Sequence, residues 1–595
     1  MPGRSSTSCP LGFLSYAIVV VAVGLLFGLG VTDGYLNGDD VAYTSGCPFV
    51  RDGFTPSGLC AAFSDLCYCA IWMPVTFCTY MADISLLGGG WRVHHAVNVL
   101  FHAVNACLFL AFLKMLMSRL LPERGCRATW ACVFGALLWA LHPQRVEAVT
   151  WIASRKEELW TLFALSGLMV WIAFVERGGV LRYLSVMAFF LLACLSKPTA
   201  LCLPLLACLV AAVLERRSAF RIRCLLPLLA VSAAVGLLAI HSQSNPTGMA
   251  RADVFAAGLG WRVLNAAVSL GLYIWHVIWP AGVHVDYRAV FGEWPLDGGL
   301  GLSVLAVSAL ALSAGFLHAK GDGTRKILVL SSLWFVLGVF PTLGVLGYVN
   351  GDHAYADRYA YLPGMAFSFL TACILMALSS VRYRGIAAFS IAAVVLAVES
   401  LAAVPAIRSF ESDYLAFSRA LRADPGHWRA LRIVGNEYCA RMNRMNEGVG
   451  MLRRSLRIRG SQQTADSLAY VLAHRGTPGD FDEVRRLGSV FLRNPSLDRG
   501  GMMLDALGVV FMREGDYVRA AQCLAASLKA PMRGHATRHS RLNLGLCLAN
   551  LGRDAEAVKV LESLHGDPDV GVRARASSAL AAIRSGRPRA PFVWQ

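Results

Sequence analysis

The stretch "SYAIVVVAVGLLFGLGVTDGYLNGDDVAYTSG" (residues 15–46) joins a long apolar run to two adjacent carboxylates, Asp39 and Asp40. An uncharged run of about twenty residues is long enough to cross a bilayer. It follows Arg4, but no clean A-x-A cleavage site comes after it, so it is expected to stay as a first membrane span and not to be removed as a signal peptide. The question is why an acidic pair stands just beyond the end of that span.

The 595 residues are 56% hydrophobic and 16% charged, with a mean hydropathy of +0.53. A soluble domain is usually about a quarter charged. Apolar runs recur up to about Pro405, and beyond it the chain reads as soluble and helical. The expected division is 1–405 membrane domain, 406–585 repeat domain and 586–595 tail. Spans are expected at 13–32, 93–117, 128–146, 158–175, 181–196, 198–214, 223–241, 299–318, 325–346, 361–380 and 385–404, eleven in all. The basic loops 118–127, 215–224, 319–326 and 381–384 face the cytoplasm under the positive-inside rule. The segment 261–283 carries Arg, Asn and His, and is read as a re-entrant or interfacial helix without a net crossing. The loops 33–92, 147–157 and 347–360 and the soluble tail then share the outer face. Much of the +17 net charge lies in those short loops, which argues against a nucleic-acid partner. Most of the seventeen Cys sit inside apolar runs. Cys47, Cys60, Cys67 and Cys69 in the first loop leave a disulfide open, and no spacing suggests zinc.

The tail repeats. "LDALGVVFMREGDYVRAAQCLAASLKA" (504–530) aligns with "RLNLGLCLANLGRDAEAVKVLESLHGD" (541–567), matching Gly508 to Gly545, Gly515 to Gly552 and Ala520 to Ala557. Earlier copies are placed at 427–459 and 463–494. A helix–turn–helix at this spacing is the tetratricopeptide pattern. Its stack forms a concave groove suited to an extended peptide, or serves as a passive scaffold.

The polar residues of the membrane half carry the chemistry. His95, Asn98, His102 and Asn105 share one face of the second span. "LHPQRVEAVTWIASRKEELW" (141–160) brings His142, Arg145, Glu147, Arg155, Lys156, Glu157 and Glu158. "LSKPTAL" adds Lys197, and "NGDHAYADRYAYLP" (350–363) adds Asp352, His353, Asp357, Arg358, Tyr359 and Tyr361. Ionisable groups at membrane depth cost several kcal/mol unless paired or hydrated. Each has a plainer explanation: a solvated loop for the Asp pair, interhelical hydrogen bonds for His102 and Asn105, snorkelling anchors for Arg155 and Lys156. Four clusters on one face favour a functional cavity. In it Arg155, Lys156, Lys197 and Arg358 would hold a lipid-linked phosphate, while a carboxylate of the Asp39–Asp40 pair deprotonates a hydroxyl. The cations would stabilise the departing phosphate. The Asp pair is able to hold Mg²⁺ or Mn²⁺, but a lipid monophosphate needs no metal.

The order "GYLNGDDVAY", "HHAVNVLFHAVNA", "LHPQRVEAVTWIASRKEEL", "LSKPTAL" and "ADRYAYLP", followed by the repeats, resembles the transmembrane and tetratricopeptide-repeat-containing O-mannosyltransferase family, in a bacterial-type form. That family resembles the GT-C class of multispan glycosyltransferases. The resemblance implies transfer of a hexose, mannose in eukaryotic members, from a polyprenyl-phosphate donor to a hydroxyl of protein Ser or Thr or of a glycan, with inversion at the anomeric carbon. It matches Asp39 and Asp40 to the acidic motif, His142, Glu147, Arg155 and Lys156 to the second motif, and Asp357 and Arg358 to the third. Asp39 is favoured as the base, with His95 and His102 in support. A bacterial inner membrane with periplasmic repeats is expected, equivalent to the lumenal face of the endoplasmic reticulum. Two other readings are a membrane-anchored scaffold and a lipid-linked sugar transporter. The first leaves the buried cations unexplained, and the second lacks internal symmetry in the membrane half.

Overall fold

The computed structural model describes residues 12–121, 125–215, 223–243, 258–287, 298–319, 321–345, 355–477, 479–498, 500–530, 535–567 and 569–585. Asp352, His353 and the tail 586–595 lie outside the described residues. All regular structure among the described residues is helical, without strands. The chain divides into two compact units, Met1–Ala423 and Asp424–Gln595. The helix Arg382–Ser409 runs through Pro405, and Asp413–Ala423 still belongs to the first unit.

Each of the eleven expected spans meets an apolar helix. Six are long and apolar enough to cross a membrane: Gly12–Gly30, Trp91–Leu120, Ile152–Arg177, Gly298–His318, Asp322–Thr342 and Tyr383–Ser409. Cys126–Ala140, Val180–Ser196, Pro198–Val213, Leu226–Ser242 and Met365–Leu378 are shorter. Prolines explain part of the shortening. The Cys126–Ala140 helix stops just before His142-Pro143, short of the expected 146, because the residue before a proline is driven out of the helical region; the Val180–Ser196 helix ends before Lys197-Pro198 for the same reason, where the expected span also ends. Outward faces such as Leu310 and Leu317, or Val394 and Leu401, are exposed as lipid-facing side chains would be.

The segment read as re-entrant or interfacial forms one unbroken 20-residue helix, Leu259–Ile278. It packs closely on Gly298–His318 because both contribute glycine: a Cβ on Gly271 would stand 1.8 Å from the Gly301 carbonyl oxygen.

The first loop is anchored to the segment that follows the Arg382–Ser409 helix. The Asn37 side chain donates to Asp413 Oδ2 at 2.8 Å and its backbone N–H to Oδ1 at 3.1 Å. Gly34 lies so close to Glu411 that a Cβ would meet its carbonyl oxygen at 2.4 Å. Residues 34–37 and 411–413 are therefore held side by side.

The second unit is a run of helical hairpins: Trp428–Ala440 with Met445–Ile458, Gln462–Arg475 with Asp480–Arg493, Met502–Arg513 with Tyr517–Ser527, and His535–Asn550 with Asp554–Glu562, followed by Val570–Arg584. The aligned glycines do equivalent work. A Cβ on Gly508 would meet Leu524 Cγ at 2.7 Å, and one on Gly545 would meet Leu561 Cδ2 at 2.6 Å. Gly515 and Gly552 turn the chain with φ of 81° and 72°. Ala520 and Ala557 are fully buried.

Candidate functional site

Gly38, at φ 94°, turns the chain into the short helix Asp39–Tyr43, and this sends the two carboxylates in different directions. Asp40 is 1% exposed. Its Oδ2 accepts from the Leu36 amide and its Oδ1 from the Ala153 amide, both at 2.8 Å, so it ties the first loop to the "WIASRK" segment. Burial pushes its carboxyl up to about 7 against the pull of those two amides, with Asp39 and Asp413 adding repulsion. Asp39 is exposed, and its carboxylate accepts no hydrogen bond among the described residues. Its charge acts on Lys156 and on the Tyr43 hydroxyl.

All four cations are buried, but only Lys156, Lys197 and Arg358 act on one another, and Arg155 is engaged elsewhere. Arg155 is fully consumed. It pairs with Asp83 at 2.7 Å, donates to Asn98 Oδ1 at 2.7 Å and to the His94 carbonyl at 2.9 Å, and stacks 4.3 Å over Tyr80. Asp83 also holds His94 at 2.7 Å. Lys197 pairs with Glu157 and lies 4.7 Å over Tyr359. Arg358 pairs with Glu147, which also accepts the Arg358 amide at 2.9 Å. Its guanidinium lies 5.0 Å over Trp151 and 4.7 Å over Tyr359. Lys156 alone of the four has no carboxylate within ion-pair distance among the described residues. Its Nζ donates to Tyr43 Oη at 3.3 Å and lies 4.6 Å over that ring, within reach of the charges of Asp39, Arg358 and Lys197.

The remaining expected residues hold the scaffold. His95, Asn98, His102 and Asn105 do share one buried face. His95 bonds the Gly34 carbonyl at 2.9 Å. His102 must donate from Nε2 to the Ala140 carbonyl at 2.9 Å, so its Nδ1 accepts from Tyr361 Oη at 2.7 Å. His142 caps the next turn by accepting from the Gln144 amide at 3.1 Å, and donates to the Val277 carbonyl at 3.1 Å. Asp357 is held by His276 at 2.9 Å and by the Tyr287 hydroxyl. Cys47, Cys60, Cys67 and Cys69 are unbridged.

The sequence reading did not single out Asp83, His94, Tyr43, His276 or Tyr287. Asp83, in the apolar "YMADISLL", carried the clearest unread signal, a lone acid needing a partner. For a metal the fit is poor. Both Asp40 oxygens are taken by amides, so the pair leaves one free carboxylate, and no group of three His, Cys, Asp or Glu able to hold a metal occurs among the described residues.

A small apolar pocket of about 20 Å³ lies against the same helix that carries Lys156. Phe163, Gly167 and Trp171 line it with Phe190, Leu203 and Ala207. Phe163 stands two turns along from Lys156, about 10 Å at 1.5 Å per residue.

No family model matches the chain. It is 24% identical, over 344 residues and 55% of its length, to a protein O-mannosyl-transferase of Caenorhabditis elegans. The match spans 45% of that protein, so the chain covers about half of its relative. This distant similarity supports an O-mannosyltransferase-like family. Together with the long apolar helices, it fits a membrane glycosyltransferase.

Proposed function

We propose that the protein is an integral membrane glycosyltransferase of GT-C type that moves a hexose, mannose by preference, from a polyprenyl-phosphate donor to a hydroxyl acceptor on the extracytoplasmic face. The observation that carries this reading is the buried, unneutralised ammonium of Lys156 beside the exposed, unbonded Asp39. Two carboxylates, Asp39 and Glu157, act on this ammonium through their charge, but none pairs with it directly, and a buried ammonium without a direct ion pair is a natural seat for an anion.

In this reading Asp39 accepts the proton of the incoming hydroxyl. The freed oxygen attacks the anomeric carbon opposite the phosphate, the carbon–phosphate-oxygen bond breaks, and the configuration inverts. The electron pair leaves on the polyprenyl phosphate, whose charge Lys156 receives, with Arg358 next to it and Lys197 and Arg155 supporting from their ion pairs. General-base assistance is worth roughly 10²–10⁴ in rate. Asp40 sets the distance between the first loop and the "WIASRK" segment, and no step needs a metal.

The helical hairpins of the second unit are read as tetratricopeptide repeats that hold a protein or peptide acceptor in their groove. They follow on from residues 411–423, and so are assigned to the face of Asp39. With ten apolar helices between 37 and 413, the Leu259–Ile278 helix then makes no net crossing. The test is transfer of labelled sugar from polyprenyl-phosphate mannose, glucose or galactose to Ser/Thr peptides by the purified full chain. Labelled product from one donor is expected, and none from any donor overturns the reading.

A further inference from the structure

We infer that His276 is a positioning residue for the donor phosphate, acting through Asp357 on Arg358. The inference rests on the proposed donor site and adds to it the helix Leu259–Ile278, which the proposed reaction does not use. His276 is two residues from the end of that helix, is 7% exposed, and bonds Asp357 Oδ1 at 2.9 Å. Tyr287, 6% exposed and stacked on Tyr355 at 4.3 Å, donates its hydroxyl to the other oxygen. Asp357 is completely buried. The next residue, Arg358, is gripped by Glu147 through both its amide and its guanidinium.

Three separate elements thus converge on two adjacent residues. The His276 and Tyr287 contacts fix the backbone of Asp357. The Glu147 contact then has one direction in which to hold the guanidinium, over Trp151 and next to Lys156. Without the His276 bond, a buried carboxylate loses a charge-assisted donor and turns toward another cation. The candidates are Arg145, on which the Asp357 charge already acts, and Arg358, its neighbour in the chain. An Arg358 drawn back to Asp357 is withdrawn from the phosphate.

The test is binding of C55 polyprenyl phosphate, without sugar, to the full chain in detergent. It compares the intact protein with His276→Ala, His276→Asn and Tyr287→Phe. Asn keeps an N–H donor close to the position of Nδ1. We expect Kd to rise about tenfold in His276→Ala and severalfold in Tyr287→Phe, and to return to within about twofold of the intact value in His276→Asn. A packing role alone would lower the number of sites and leave their affinity unchanged. Unchanged Kd in His276→Ala, no rescue by Asn, or no lipid phosphate binding by the intact chain would overturn the inference. If the expected Kd pattern appears but the intact chain transfers no sugar, the proposed reaction fails and this assignment stands.

Discussion

A carboxylate that already accepts two backbone amides has no good direction left for a substrate proton, whereas an exposed, unbonded one does. Asp40 is the first kind and Asp39 the second. The same contrast separates Arg155, locked to Asp83, from Lys156, which has only Tyr43. Thermal unfolding of four full-length variants should reveal both contrasts. Asp40→Asn puts an NH₂ against a backbone N–H and should lose about 1–3 kcal/mol. Arg155→Ala leaves buried Asp83 with His94 as its only charged partner and should lose about 3–5 kcal/mol. Asp39→Asn and Lys156→Ala should be near neutral, the latter because it removes a buried charge that has no direct ion pair; equal losses in all four would contradict these roles. The sequence made the cations and the acidic pair legible, because charge inside apolar stretches stands out. It did not show which cation is neutralised, since Asp83 and Glu147 reach their partners only through tertiary packing.

The helical hairpins were legible element by element, because Gly508 and Gly545 mark the same close approach to Leu524 and Leu561. The alignment did not show the acids buried within the stack. Asp466, 8% exposed, leaves Oδ1 without a hydrogen bond, and burial, then Asp498, pushes its carboxyl up to about 7. Burial likewise raises Asp505 to about 6, although Ser540 donates to it at 2.6 Å. A carboxyl whose folded pKa is raised binds its proton more tightly when folded. Its stabilising contribution is therefore full below the unfolded value of about 4 and is lost as pH rises through about 7. The full chain should show an unfolding transition of the second unit that falls between pH 5 and pH 8. Asp466→Asn should flatten that slope and raise the transition at pH 8 by a few degrees, at about 2–4 °C per kcal/mol. A transition that does not change with pH, or is lowered by the substitution, would contradict it.

At the scale of the whole molecule, hydropathy located eleven apolar segments and each became a helix. It overstated the length of the span expected at 128–146, because a window averages across Pro143, which ends the helix at Ala140. It also could not see the contact that matters for topology, the bond from Asn37 to Asp413. That bond predicts a shared face for the first loop and the second unit. In sealed vesicles of known orientation, an impermeant maleimide should reach the exposed thiols of Cys60 and Cys69 from the same side on which trypsin cuts the Arg-rich second unit. Labelling and cleavage from opposite sides would contradict the topology. The central claim is that Asp39 is the base of a sugar transfer from a polyprenyl phosphate. Its most direct measurement is the transfer rate of the purified full chain against that of Asp39→Asn, with both shown to unfold at the same temperature. The account predicts a fall of at least about a hundredfold at unchanged stability; equal rates would remove Asp39 from the chemistry and contradict the account.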